Sequence, residues 1–213
     1  MNRLFSKVFM WLCIGLAITF GVAYTVSSND NMVYNLFDGG KYLFVWIAEL
    51  VVVIWLAARI RKMNFMTAVI LFALYSGLTG LTLSSIFILY DITSIVWVFA
   101  ITAGVLLIMG MVGYVTKIDI TRFGALLCMA LLALLIAMLI NMFVGSETFD
   151  LAICAIGIII FIGYIAYDIQ VIKRNLYGIE DEGKLAVYGA FQLYLDFINI
   201  FIYLLRLFGN RRD

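Results

Sequence analysis

Read in windows of about 19 residues, the chain is a succession of long apolar runs separated by short polar connections. The runs cover residues 8–26, 42–58, 65–90, 94–115, 123–144, 151–172 and 185–208. About 20 residues of helix, rising 1.5 Å each, match the roughly 30 Å hydrocarbon layer of a bilayer. Inside that layer every backbone N–H and C=O must be bonded within its own segment, which a helix does and an open strand does not. The pattern therefore predicts an all-α, polytopic membrane protein, a bundle of seven transmembrane helices forming one domain over residues 1–213. The connections are polar: residues 27–40, the basic group Arg59, Arg61 and Lys62, residues 116–122 with Lys117, Asp119 and Arg122, and residues 173–184 with the acidic run Glu180–Asp181–Glu182. The first run follows Arg3 and Lys7 as a signal peptide would. It continues for about 20 residues without a small-residue cleavage site, and a retained span is expected.

The seventh run differs from the others. Tyr188, Gln192, Asp196, Asn199, Tyr203 and Arg206 recur at spacings of four, four, three, four and three, which places them on one face of a helix. Such a face cannot be turned to lipid, so the last helix is expected at the centre of the bundle, enclosed by the rest. Ser76, Gly80 and Ser84 form a stripe of small residues at i, i+4 and i+8, a pattern that lets helices approach closely. Gly104, Gly110 and Gly113 suggest the same for the fourth span.

Orientation follows from the bases. With the N-terminus inside, the cytoplasmic segments hold Arg3, Lys7, Arg59, Arg61, Lys62, Lys117, Arg122, Lys173, Arg174 and Lys184, which is 10 of 14 basic residues. The opposite side holds Lys41, Arg206, Arg211 and Arg212 together with Asp30, Asp38, Asp91, Glu147 and Asp150. The arginine-rich tail runs against the rule: either the last helix crosses fully and carries it outside, or it re-enters. Seven full crossings are the preferred reading, in a membrane that is most simply a bacterial plasma membrane.

Composition agrees and narrows the chemistry. Apolar residues make up 66% of the chain and charged residues 13%, with a mean hydropathy of +1.12, far from the half-apolar, quarter-charged composition of soluble domains. A net charge of +1 offers nothing to nucleic acid. The chain has no His, which removes Ser–His catalysis and the usual nitrogen ligands of zinc and haem. Cys13, Cys128 and Cys154 lie in apolar runs and are expected to be free and buried.

Ionisable groups at membrane depth are the informative ones, because each costs several kcal/mol unless paired or wet. Three remain once the connections are removed: Glu49, Asp168 and Asp196. No base lies at comparable depth. The carboxyls can share protons, since two close carboxylates do not both ionise cheaply. They can instead hold a hard cation through oxygen, with Ca²⁺ the best fit. Competition of protons and a cation for the same oxygens would give a pH-sensitive cation pathway. The plainer alternative is that each acid only fixes helix packing.

The run Leu193-Tyr194-Leu195-Asp196-Phe197-Ile198-Asn199 within residues 190–209 resembles the C-terminal signature of the Bax-inhibitor (transmembrane Bax inhibitor motif) family. Residues 163–170, Gly-Tyr-Ile-Ala-Tyr-Asp-Ile-Gln, resemble its penultimate-helix motif, and Ser76–Ser84 resembles its third-helix pattern more loosely. The resemblance is to the family's bacterial calcium-leak type. It implies a seven-helix bundle around the last helix and a pH-sensitive Ca²⁺ leak, with no enzymatic activity and no cofactor beyond the permeating or bound ion. It further implies that Asp168 and Asp196 act as a paired proton sensor, and that Glu49, Asp168, Asp196 and Asn199 belong to the cation path. Glu49, Asp168 and Asp196 would be the candidate Ca²⁺ ligands. A basic residue closing the second span would latch the pair, and either Arg59 or Arg61 suits that place. The partners implied are the lipid bilayer, Ca²⁺ and protons. Two other classes compete: a proton-coupled secondary transporter, against which the lack of inverted repeats and broken helices argues, and a non-conducting regulator or scaffold. An intramembrane aspartyl protease would also use two Asp, but Asp196 lacks a Gly-flanked setting.

Overall fold

The computed structural model describes residues 2–175 and 178–212, the side chains of Asn2 and Arg61 excepted. The described residues form eight α-helices: α1 (Asn2–Ser27), α2 (Asp30–Phe37), α3 (Lys41–Arg59), α4 (Phe65–Leu89), α5 (Ile92–Val115), α6 (Gly124–Val144), α7 (Glu147–Arg174) and α8 (Glu182–Phe208). They contain seven stretches long and apolar enough to cross a membrane, α2 and α3 counting as one. No strand occurs among the described residues, apart from an isolated bridge between Tyr90 and Arg211.

The helix ends are written in capping chemistry. Asn64 accepts the Thr67 amide at 2.8 Å to open α4, and Ser146 accepts the Phe149 amide at 3.3 Å to open α7. Glu147 and Asp150 occupy the first turn of α7, and Lys173 and Arg174 its last, each sign matching the end of the helix dipole it sits on. The polar stretch 27–40, expected as a connection, contains α2. Asn29 caps that helix by accepting the amides of Asn31 and Met32, a local bond that hydropathy does not register.

The helices sort into two compact units, Met1–Asp91 with Tyr177–Tyr194 and Arg211–Asp213, and Ile92–Leu176 with Leu195–Asn210. Helix α8 thus gives its first half to one unit and its second half to the other. In the first unit, α1 and α3 pack along α4. The small-residue stripe does what its spacing predicts. A Cβ on Gly80 would stand 2.7 Å from the Thr19 carbonyl oxygen and 2.8 Å from Val22 Cβ, so only hydrogen fits where α1 meets α4. Phe191 and Tyr194 meet the edges of Phe72 and Tyr75 at 5.4–6.1 Å. In the second unit, α5 and α6 pack on α7. Gly113 lies so close to Ala166 that a Cβ would come within 2.6 Å of its carbonyl oxygen, whereas Gly104 faces open space. Phe99 packs edge-on to Phe197 at 5.1 Å.

Enclosure is uneven. The apolar window of α8 is 78% buried, against 6–39% for the other spans, as expected of a helix with a polar face. Among the cysteines, only Cys154 is buried. Cys13 and Cys128 are free and exposed, because an apolar position in a span can face lipid as well as protein.

Charges close the helix ends. In the first unit Lys7 pairs with Glu182 at 2.8 Å. The Arg212 guanidinium lies 3.7 Å from Asp91, and its amide donates to the Leu89 carbonyl at 3.0 Å. The tail therefore lies beside the α4–α5 connection, the arrangement that seven full crossings require. In the second unit Arg174 meets Asp119 at 2.8 Å. The Thr121 hydroxyl, and after it Arg174, hold the Asp119 carboxyl below its ordinary range. That tie is thus present at neutral pH and lost only as acid titrates the lowered carboxyl.

Gly80→Ala is expected to lower the thermal unfolding midpoint in detergent. Overpacking costs about 1–3 kcal/mol, which outweighs the roughly 1 kcal/mol of helix propensity that Ala adds. Gly104→Ala, which meets nothing, is expected to hold or raise the midpoint. Equal midpoints for the two variants would contradict the close α1–α4 approach.

Candidate functional site

Two carboxyls meet in the second unit. Asp168, on α7 six residues before its last, is 4% exposed, and Asp196, at the start of that unit's half of α8, is 3% exposed. Their carboxyls lie in hydrogen-bond contact with each other. Neither takes part in an ion pair among the described residues, and Asp196 Oδ2 accepts from no described donor. Close packing makes the meeting possible. Gly113 brings α5 onto α7 two residues before Asp168, and Gly157 admits the Tyr203 ring of α8, which a Cβ would meet at 2.5 Å. Tyr164 lies alongside both aspartates. Its ring packs on Phe161 at 5.9 Å and edge-on to Tyr167 at 6.2 Å. A hydrogen bond between two carboxyl groups needs a proton on one of them, so the arrangement can hold a shared proton.

The remaining predicted residues are spread more widely. Asn199 is half-buried and returns its amide to the Leu195 carbonyl at 2.7 Å. Its carbonyl oxygen is the end left to face a partner. Glu49 belongs to the first unit, half-buried on α3, with Thr82 of α4 donating to its Oε2. Arg59 closes α3 and is exposed. The Arg61 side chain lies outside the described residues. Among the described residues no three acidic or thiol side chains converge as metal ligands do. A cation at the aspartate pair would therefore draw its other ligands from neutral oxygens or water.

Sequence reasoning passed over two groups. The first is a set of hydroxyls in the first unit. Thr19, fully buried, bonds the Tyr194 hydroxyl at 2.6 Å and donates to the Gly15 and Ser76 carbonyls at 3.0 and 2.9 Å. Tyr75 and Thr79 lie in the same buried set. Isolated Thr and Tyr in apolar runs carry little polarity on a hydropathy scale, and only the repeated hydroxyls of Ser76–Ser84 hinted at them. The second is Asp150, which pairs with Arg206 across α7 and α8. Its place at a span boundary made it look like a loop charge. Met138, Asn141, Met142, Asp150 and Arg206 line a cavity of about 230 Å³.

Comparison with known proteins places these motifs. The family model described as inhibitor of apoptosis-promoting Bax1 matches residues 1–213. Inner membrane protein YbhL of Escherichia coli strain K12 is 42% identical over 213 residues, covering 97% of this chain and 91% of that protein. An uncharacterized protein of Borreliella burgdorferi is 40% identical over 217 residues, covering 100% and 94%. The uncharacterized protein RP147 of Rickettsia prowazekii is 39% identical over 216 residues, covering 100% and 92%. With a family model matched along its whole length and seven candidate spans, this chain belongs to the Bax inhibitor family of integral, multi-pass membrane proteins.

Proposed function

We propose that this protein is a pH-sensitive calcium leak pathway, gated by the Asp168–Asp196 pair. The observation that carries the proposal is the contact of two buried carboxyls with no base paired to either among the described residues. The resemblance of the motifs around Asp168 and Asp196 to those of the Bax-inhibitor family adds to it. Two carboxylates about 4 Å apart repel by about 4 kcal/mol at an effective dielectric constant near 20. One proton between them removes that repulsion and supplies the missing hydrogen bond. When the proton leaves, α7 and α8 are pushed apart at this level, or a divalent cation takes its place. Either way, protonation selects between two packings of the second unit, as a titrating switch requires. Asp168, Asp196 and the carbonyl of Asn199 supply oxygen to the moving ion.

The membrane we assign is the bacterial plasma membrane, with the N-terminus in the cytoplasm. The distribution of bases along the chain supports this orientation, and the Escherichia coli relative is called an inner membrane protein.

Purified protein in liposomes loaded with a Ca²⁺-sensitive dye is expected to pass Ca²⁺ at a rate that changes between about pH 6 and pH 8. A one-proton switch alters the ratio of its two states at most tenfold per pH unit. Asp196→Asn keeps the shape but cannot release a proton, so its flux is expected to be flat over the same range. Flux no greater than that of empty liposomes at any pH would sink the leak reading. Orientation has its own check: in intact bacteria a membrane-impermeant thiol reagent should label Asn210→Cys, on the tail, and spare Lys117→Cys. The reverse pattern would invert the topology.

A further inference from the structure

The cavity of the second unit is built where α6, α7 and α8 end or begin together. Asn141 and Met142 come from the last turn of α6, Asp150 from the first turn of α7 and Arg206 from the last turn of α8. At 1.5 Å per residue, each stands within about 5 Å of its helix end, the depth at which a span meets lipid headgroups. Met138 lies one turn deeper on α6, and its sulfur takes the Tyr203 hydroxyl at 3.6 Å. Met142 is 71% exposed, on a span only 6% buried. One wall of the cavity therefore belongs to the surface that lipid covers, and its polar end carries both signs of charge.

The polar atoms of that end are only partly used. The Arg206 guanidinium, with several N–H groups to give, donates among the described residues to Asp150 Oδ1, and no described donor is paired with Asp150 Oδ2. Asn141 takes the Ser146 amide on its Oδ1 at 3.1 Å, which leaves the protons of its NH2 group to give. The Arg206 and Asp150 side chains are 33% and 28% exposed, so both are open to an occupant. A lone anion there would be drawn by Arg206 and repelled by Asp150, and a lone cation the reverse. A molecule with both charges meets both. The volume, about 230 Å³, falls below the roughly 300–1,000 Å³ of sites that enclose a whole small ligand. It suits one end of a molecule whose remainder stays outside.

We propose that this cavity binds the headgroup of a zwitterionic phospholipid that carries a primary ammonium, a phosphoethanolamine lipid. Arg206 and the Asn141 NH2 group donate to the phosphate, in the charge-assisted geometry that guanidinium groups give. Asp150 Oδ2 accepts from the ammonium, which a quaternary amine without N–H cannot match. The acyl chains leave past Met142 and lie along α6. The site uses neither the aspartate pair nor Ca²⁺, so it stands apart from the leak reading.

Native mass spectrometry of the full chain, delipidated in detergent, reads the binding of added dioleoyl lipids with phosphoethanolamine, phosphocholine or phosphoglycerol headgroups. The phosphoethanolamine lipid is expected to bind about tenfold more tightly than either of the others, the worth of one charge-assisted hydrogen bond. Asp150→Asn is expected to lose that preference and to favour the anionic phosphoglycerol lipid, because Arg206 is then unopposed. A pair that only braces α7 against α8 would leave the order of the lipids unchanged, and that result overturns the proposal. So does equal affinity of the wild type for all three. Met142→Trp, at an exposed position, fills the entrance and is expected to weaken the phosphoethanolamine lipid; it decides alone should Asp150→Asn fail to fold, and undiminished binding counts against the site. Soluble O-phosphoethanolamine that competes at concentrations as low as the lipid's would assign the cavity to a water-borne molecule and overturn the lipid assignment.

Discussion

A helix with Gln192, Asp196, Asn199 and Tyr203 along one face cannot rest against hydrocarbon, and the rest of the chain is arranged to meet that constraint. Each unpartnered polar group moved into an apolar medium costs several kcal/mol. Helix α8 is accordingly the most enclosed span, and its neighbours come close where small residues let them. Tyr194 is held by Thr19 in the first unit, and Tyr203 fits against Gly157 in the second. The same need explains why α6, whose span is only 6% buried, can be almost wholly apolar outside: it has no polar face to hide.

The charges divide into two classes with different energetics. Lys7–Glu182, Arg174–Asp119 and Arg212–Asp91 are partly exposed pairs near helix ends, where an ion pair contributes about 0–1 kcal/mol. Their use is positional: each names two segments that share an end, and Arg212 beside Asp91 sets the tail at the same end as the α4–α5 connection. Asp168 and Asp196 are the opposite case. They are buried, they face each other, and no base accompanies them among the described ion pairs. Packing alone would be served as well by Asn at one of the two positions, with no charge to manage.

Sequence reading reached the aspartate pair because both residues stand in motifs with helical spacing and lie well inside apolar runs, where an acid is costly enough to notice. It did not reach the buried hydroxyls of the first unit, or the Thr82 hydroxyl that meets Glu49. A threonine or tyrosine in a span is cheap, since its hydroxyl can bond back to its own helix, and nothing in a one-dimensional pattern separates a Thr that does so from one that meets a carboxylate. Asp150 was missed for a related reason: at a span boundary an acid reads as solvated until its partner is seen.

What the sequence by itself determined is therefore the class of the molecule: membrane-spanning helices, the number of spans and their approximate limits, the face of the last one that must be hidden, and the acids that are out of place in lipid. These follow from transfer free energies and from the periods of a helix, which are local properties of a chain in its solvent. Tertiary structure alone decided which cysteines face outward, which glycines of α5 are contacts, that residues 30–37 coil into a helix, and that Thr82 stands between Glu49 and a carbonyl. Each of these depends on which side chain arrives from a distant segment or on one local cap. Hydropathy averages over such directional contacts of a few ångströms, and packing resolves them.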